Sequence, residues 1–142
     1  MASDDSAAVQ AANDAFYRAF ESLKLEAMEA VWLRSARVHC THPGWRRLSG
    51  IGAVMDSWRG IFENTMEMRF ELTGVEVSVA GEVAWVVCTE NITSHTLDGI
   101  SRGRVEATNV FERRDGQWLL VHHHGSPASP SVDDDDPTPA LQ

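Results

Sequence analysis

The stretch Met66-Glu67-Met68-Arg69-Phe70-Glu71-Leu72-Thr73-Gly74-Val75-Glu76-Val77-Ser78-Val79 decides the fold. Met66, Met68, Phe70 and Leu72 alternate with polar residues, which is the period of a strand with one covered face. Val75, Val77 and Val79 continue the alternation in the opposite phase. The phase changes at Thr73-Gly74, so a bulge and a bend in one long strand are expected there. Downstream the pattern stays strand-like. Ala80-Gly81-Glu82 reads as a turn, Val83 to His95 as a strand, and Leu97-Asp98-Gly99 as a second turn. Ser101 to Arg113 is a further strand, Asp115-Gly116 a hairpin signal, and Trp118 to His124 the last strand.

Upstream the period is helical. Val9, Ala12, Phe16, Ala19, Phe20 and Leu23 form an apolar stripe, and Leu25 to Trp32 reads as a short second helix. Arg37 to His42 is a short strand with Val38, Cys40 and His42 on one face. Ser49 is read as the cap of a third helix carrying Ile51, Val54, Met55, Trp58, Ile61 and Phe62. Helices first and antiparallel strands afterwards give an α+β domain with the helices on one face of the sheet. A bend lets such a sheet curl around them.

The 142 residues make one ordinary domain, with 43% hydrophobic and 23% charged residues. No apolar run approaches the ~18 residues of a membrane span. The net charge is −9, with Asp4, Asp5 and Asp133 to Asp136 contributing heavily. No basic stripe for nucleic acid is present. Met1 to Asp5 lacks the apolar core of a secretory leader, so a cytoplasmic setting is expected, with Cys40 and Cys88 as reduced, buried thiols. Residues 128–142 carry prolines and acids with few large apolar groups and are expected to be a disordered tail behind a domain of residues 1–127.

Three stretches carry a family resemblance. They are His42-Pro43-Gly44-Trp45 with Gly50 and Ser57-Trp58; Val83-Ala84-Trp85-Val86 running into Glu90-Asn91-Ile92; and Ala107-Thr108-Asn109-Val110-Phe111 with Asp115-Gly116-Gln117-Trp118 and His122 to Pro127. Over about residues 6 to 127 the chain resembles the nuclear transport factor 2-like superfamily, and within it the SnoaL-like, or polyketide cyclase-like, branch. The resemblance implies a cone: a curved antiparallel sheet with three N-terminal helices on its concave face, as in a cystatin-like roll, around an apolar pocket. It implies a cofactor-independent isomerase, cyclase or dehydratase acting on a small hydrophobic carbonyl compound. The alternative is a non-catalytic ligand-binding or dimeric adaptor domain. Homodimers through the outer sheet face belong to the same implication. Strand Val83 to Cys88 is apolar on both sides, in keeping with two covered faces.

Within the last strand, strict alternation puts Trp118, Leu120, His122 and His124 on the inner face, with Leu119, Val121 and His123 outside. His122 and His124 are therefore the expected proton carriers, imidazole being the usual acid or base near neutral pH. Glu90 is the carboxylate candidate; it alternates with Cys88 and Ile92, and Asn91 faces the other way. Asp56 and Glu106 are weaker alternatives. Asn91 and Asn109, mid-strand amides, are expected either to orient a ligand oxygen or to serve as satisfied sheet polar groups. Trp32, His42, Trp45 and Trp58 complete the expected ligand-binding set, against the reading of Trp32 and Trp58 as core and His42 as a turn residue stacked on an indole. The steroid-isomerase branch uses a tyrosine paired with a protonated aspartate; this chain has one tyrosine, Tyr17, beside the first helix's stripe, and the pair is not matched residue by residue. No closed Cys/His spacing points to a metal. Gly50 and Gly52 are too little for a nucleotide loop.

Overall fold

The structure is a computed structural model and describes residues 2–129. The expected tail from residue 130 on lies outside the described residues. Among the described residues three helices precede the main sheet: α1 (Ala2–Ser22), α2 (Leu25–Val31) and α3 (Ile51–Glu63). The strands are β1 (His39–Thr41), β2 (Leu48–Ser49), β3 (Glu67–Ala80), β4 (Val83–Thr96), β5 (Gly99–Arg114) and β6 (Gln117–Pro127). They form one six-stranded, curved and unclosed sheet in the order β2-β1-β6-β5-β4-β3. All neighbours are antiparallel except β1 and β6, which run parallel. This is the expected α+β architecture. It adds one short element, β2, which takes Ser49 into the sheet and leaves Gly50, at φ 89°, to start α3.

The turns follow from their residues. Asp115 and Gly116 both have positive φ, 51° and 80°, which is what a two-residue hairpin loop needs to match strand twist. The register of β3 on β4 shifts between Thr73 and Glu76, and Gly74 sits there at φ 62°. That is the bulge expected from the phase change. Beyond it Val75, Val77 and Val79 still pack against the core, as Met68, Phe70 and Leu72 do before it.

α1 packs over β3, β4 and β6, and α3 over β1 and β2, with α2 against both helices. The shared core holds Phe16, Met28, Trp32, Trp58, Phe111 and Leu120, all essentially solvent-free. Rings of Phe16, Phe20, Trp58 and Phe62 meet at centroid distances of 4.6 to 6.3 Å and fill the space between α1 and α3.

A second irregularity was not foreseen. Phe111 is opposite Leu120, but Val110 is opposite His122, so Val121 is an extra residue in β6. Leu120 and Val121 are consequently both buried. From there the strand's faces are exchanged: His123 and Gly125 point inward, while His122 and His124 lie on the outer face.

Gly125 sits where this inward-turned segment passes β5 and the β1–β2 loop. A Cβ there would stand 2.9 Å from Val105 Cγ1 and 3.3 Å from Pro43 Cγ. Gly125→Ala should therefore lose about 1–3 kcal/mol in urea unfolding, the usual cost of overpacking. An unchanged midpoint would show that Val105 yields freely.

Candidate functional site

On α1, Asn13 and Tyr17 are one helical turn apart and share the buried face with Val9, Phe16 and Phe20. They meet the inward residues of β4, β5 and β6. Tyr17 hydroxyl donates to Glu90 Oε2 at 2.5 Å. Asn109 Nδ2 donates to Tyr17 Oη at 3.1 Å and to Asn13 Oδ1 at 2.9 Å. Since that amide nitrogen is the donor, Asn109 Oδ1 is the acceptor, and it receives His123 Nδ1–H at 2.6 Å. The network thus assigns His123 the Nδ1-protonated tautomer and leaves its Nε2 a lone pair with no hydrogen bond among the described residues. The donors run in one direction, from His123 through Asn109 and Tyr17 to Glu90.

A second polar group adjoins the first. His42 Nε2 lies 2.9 Å from Ser57 Oγ, and Ser57 donates its own proton to Val54 O at 2.7 Å. His42 is therefore the Nε2-protonated tautomer. Its ring stands edge-on to Trp45 and to Trp58, each at 4.7 Å, and 6.4 Å from the ring of His123. The Cys40 sulfur is 3.6 Å from His42 Nε2. The indole N–H groups of Trp32 and Trp58 and Asn13 Nδ2 are buried without a hydrogen-bond partner among the described residues.

Burial sets the protonation states. Glu90 is 2% exposed and has no cationic partner among the described residues. Desolvation pushes its carboxyl up to about 7, with the Tyr17 hydrogen bond opposing the shift. Burial, followed by the charge of Glu90, raises Tyr17 well above its usual value, so the phenol stays a neutral donor. Burial lowers His42 to about 4 and His123 to about 3. It raises Cys88 to about 11 and Cys40 higher still, so both thiols are unreactive near neutrality. Among the described residues the interior accordingly holds one carboxyl whose pKa is raised to near neutrality, among neutral donors.

Of the residues singled out from the sequence, the structure brings Glu90, Asn109, His42 and Trp58 to this interior, and buries Trp32 nearby in the core. It separates the others. His122 and His124 are turned outward by the Val121 bulge, a correction to their expected inward placement. Asn91 is on the outer face, held by Glu71 O, Thr73 Oγ1 and Arg104 Nε. Trp45 is 47% exposed beyond His42. Tyr17, Asn13, His123 and Ser57 were not foreseen as site residues. The one signal for the first two was their spacing from Val9, Phe16 and Phe20. The signal for His123 was the unbroken apolar run Leu119-Leu120-Val121, which marks an interruption of alternation. A separate open cleft of about 600 Å³ lies outside the sheet between α1 and α2, lined by Ala11, Ala15, Ala27 and Ala30 with Asp14 and Arg18.

The SnoaL-like domain model matches residues 9–130, so the chain belongs to the SnoaL-like domain family. A crystal structure of a candidate dehydratase of the NTF2-like family from Streptomyces avermitilis is 41% identical, with TM-score 0.86, over 92% of this chain and 100% of that one. A candidate calcium/calmodulin-dependent protein kinase type II association domain from Thiobacillus denitrificans is 34% identical, with TM-score 0.74, over 84% of this chain and 94% of that one. The F-box protein SKIP8 of Arabidopsis thaliana is 32% identical over 119 residues, 84% of this chain. The chain spans about half, 49%, of the length of that curated relative.

The pKa directions make stability depend on pH. Glu90 binds its proton more tightly folded than unfolded, so its contribution is full below the unfolded value of ~4.5 and is lost as pH rises through about 7. Glu90→Gln keeps an acceptor for Tyr17 without the charge. At pH 8 it should be more stable than the wild type by roughly 2–3 kcal/mol in denaturant unfolding, and the gap should close toward pH 5. A less stable variant at pH 8 would reveal a cation holding the carboxylate. His42 and His123 act oppositely: they stay neutral when folded, so stability should fall as pH drops from ~6.5 toward 4, with proton uptake on unfolding.

Proposed function

We propose that this SnoaL-like domain is a cofactor-independent acid–base enzyme, and that Glu90 moves the proton. The supporting observation is one carboxyl, buried without a cation among the described residues, in hydrogen-bond contact with a neutral phenol. A pKa near neutrality suits a group that must both take and return a proton. Asn109 and His123 hold the phenol in place through the one-way donor line. The unpartnered indole N–H of Trp58 is a donor available to a ligand oxygen. An interior of neutral donors and one carboxyl favours an uncharged carbonyl or hydroxyl compound and rejects carboxylates and phosphates. Isomerisation and dehydration both begin by removing a proton next to a carbonyl, which is the step this pair is suited to. The 41% identical neighbour is named a candidate dehydratase, which agrees with that class.

A second reading concerns assembly, and it is compatible with the first. The outer sheet face exposes Val83, Trp85 and Val87 at 37–39%, side by side on β4. An apolar strand face left open in this way marks an interaction surface. The resemblance to an association domain supports self-association of this chain through that face, with a homodimer as the smallest closed form.

The chemical reading is tested without knowing the substrate. A panel of neutral ketones and β-hydroxy ketones in D2O, followed by NMR, should show enzyme-dependent exchange of an α-hydrogen for at least one member. Glu90→Gln should slow that exchange by about 10²–10⁴-fold, the usual worth of a positioned base. Tyr17→Phe should slow it less. Exchange unaffected by Glu90→Gln would remove Glu90 from the chemistry.

A further inference from the structure

The outer face carries a second set of titratable side chains that the interior does not use, and the strand registers place them. His39 of β1 is opposite His122 of β6, His122 opposite Val110 of β5, and Val110 opposite Trp85 of β4. Two residues along, Thr41, His124, Thr108 and Val87 form the next row in the same order. The imidazoles and the exposed apolar residues therefore occupy the same two cross-strand rows of one face. Two strand spacings, about 10 Å, separate Trp85 from His122 and Val87 from His124. A partner of ordinary interface size, about 800 Å² a side, centred on Trp85 and Val87 extends over the histidines.

The three imidazoles are close to one another. His39 and His122 ring centroids are 6.0 Å apart, and His122 and His124 are stacked at 6.2 Å with 7° between their planes. Burial lowers the pKa of His122, and the charges of His124, His39 and Arg47 lower it further. Directly opposite the three on β2 and β5 stand Ser49, Val110 and Thr108, none of them charged. Of the carboxylates on this side, Glu112 is paired with Arg37 and Arg114, while Glu106, one row beyond Thr108 on the same face, accepts from the neutral Thr89 hydroxyl. Glu76 lies at the far end of the Val87 row, on β3.

We propose that two copies of this chain associate through the Trp85–Val87 face when His39, His122 and His124 are neutral, and separate when these imidazoles are protonated. The inference rests on the assembly reading above and adds its regulation. A two-fold interface uses the same patch on both copies, so the three histidines of each chain are covered by the other copy. Covering protonated imidazoles without counterions is strongly unfavourable, whereas neutral imidazoles are compatible with burial. Each proton that the free chain binds and the paired chain refuses makes dissociation about tenfold stronger per pH unit once the pH is below that imidazole's value in the free chain, which for His122 lies under ~6.5.

Sedimentation and light scattering of the full chain at micromolar concentration, at pH 8 and pH 5.5, test this. The expected result is twice the chain mass at pH 8. By pH 5.5 the dissociation constant should be at least tenfold weaker, with the near-ultraviolet circular dichroism of the tryptophans retained. The triple variant His39→Gln, His122→Gln, His124→Gln should stay paired at pH 5.5, and the single variant His124→Gln, on an exposed side chain, should show a shallower pH dependence. Trp85→Lys should be monomeric at both pH values. Equal association at both pH values, an unchanged pH response in the histidine variants, or separation only with loss of the near-ultraviolet signal overturns the proposal. So does pairing of Trp85→Lys at pH 8. A wild-type monomer at pH 8 removes the assembly reading itself and this inference with it.

Discussion

A long strand keeps its side chains on fixed faces unless a residue is inserted, and two such insertions govern this molecule. At Thr73–Glu76 the extra residue bends β3, so that both halves of the strand keep their apolar side toward α1 and the core. At Val121 the insertion exchanges the faces of β6 at the point where it passes β1 and β5. Leu120 and Val121 then both serve the core, and the strand delivers a single histidine inward, next to Asn109. Without this exchange two imidazoles would face the aromatic interior and His123 would face out. The polar line to Glu90 would lose its first donor.

That line is costly to maintain, which gives it meaning. Burying polar groups is tolerable only when each finds a partner, and most here do. Asn109 is the pivot, since its two ends are used for different purposes: the oxygen receives His123, and the nitrogen serves Asn13 and Tyr17. The arrangement removes the freedom of the amide to flip and so fixes the direction in which the Tyr17 proton points. Beside the unpartnered N–H groups of Trp32 and Trp58, one exception is electrical. Glu90 has a hydrogen-bond donor but no countercharge among the described residues, so its ionised form is disfavoured by burial. A neutral glutamine of the same shape removes that penalty. An ionisable group kept where it lowers stability belongs with the strained, perturbed groups that cluster at working sites.

Much of the fold was legible because it rests on period. The helical stripes, the bend at Gly74 and the hairpin at Asp115-Gly116 are local patterns with local causes. The family resemblance supplied the order in which the elements assemble. What stayed hidden depends on register between segments far apart in the chain. Leu119-Leu120-Val121 shows that alternation breaks, but not which residue is the inserted one; that is settled by pairing with Val110 and Phe111. The same holds for Tyr17. Its helical spacing places it at the edge of the buried face, but its partner lies 73 residues away on β4. Alternation through Cys88 sets Glu90 and Asn91 on opposite faces but not which face lines the interior; the structure puts Glu90 in and Asn91 out.

Three consecutive histidines now belong to two environments divided by the thickness of one strand. His123 is enclosed and held neutral by burial first, and then by the charges of His42, His122 and His124. The last two are on the outer side, so the sheet is thin enough for the faces to interact electrostatically. The sign of that coupling is one-sided. Protonating the outer pair makes it harder to protonate His123, so acidification that charges the outside reinforces neutrality within. The donor line depends on that neutrality only weakly, because His123 uses Nδ1–H, which is present in both the neutral and the charged ring. The lone pair on Nε2 depends on it strongly, since protonation would convert an acceptor into a donor among other donors. A strand that places histidines alternately on two faces thus protects the interior hydrogen-bond pattern with the charges it carries outside.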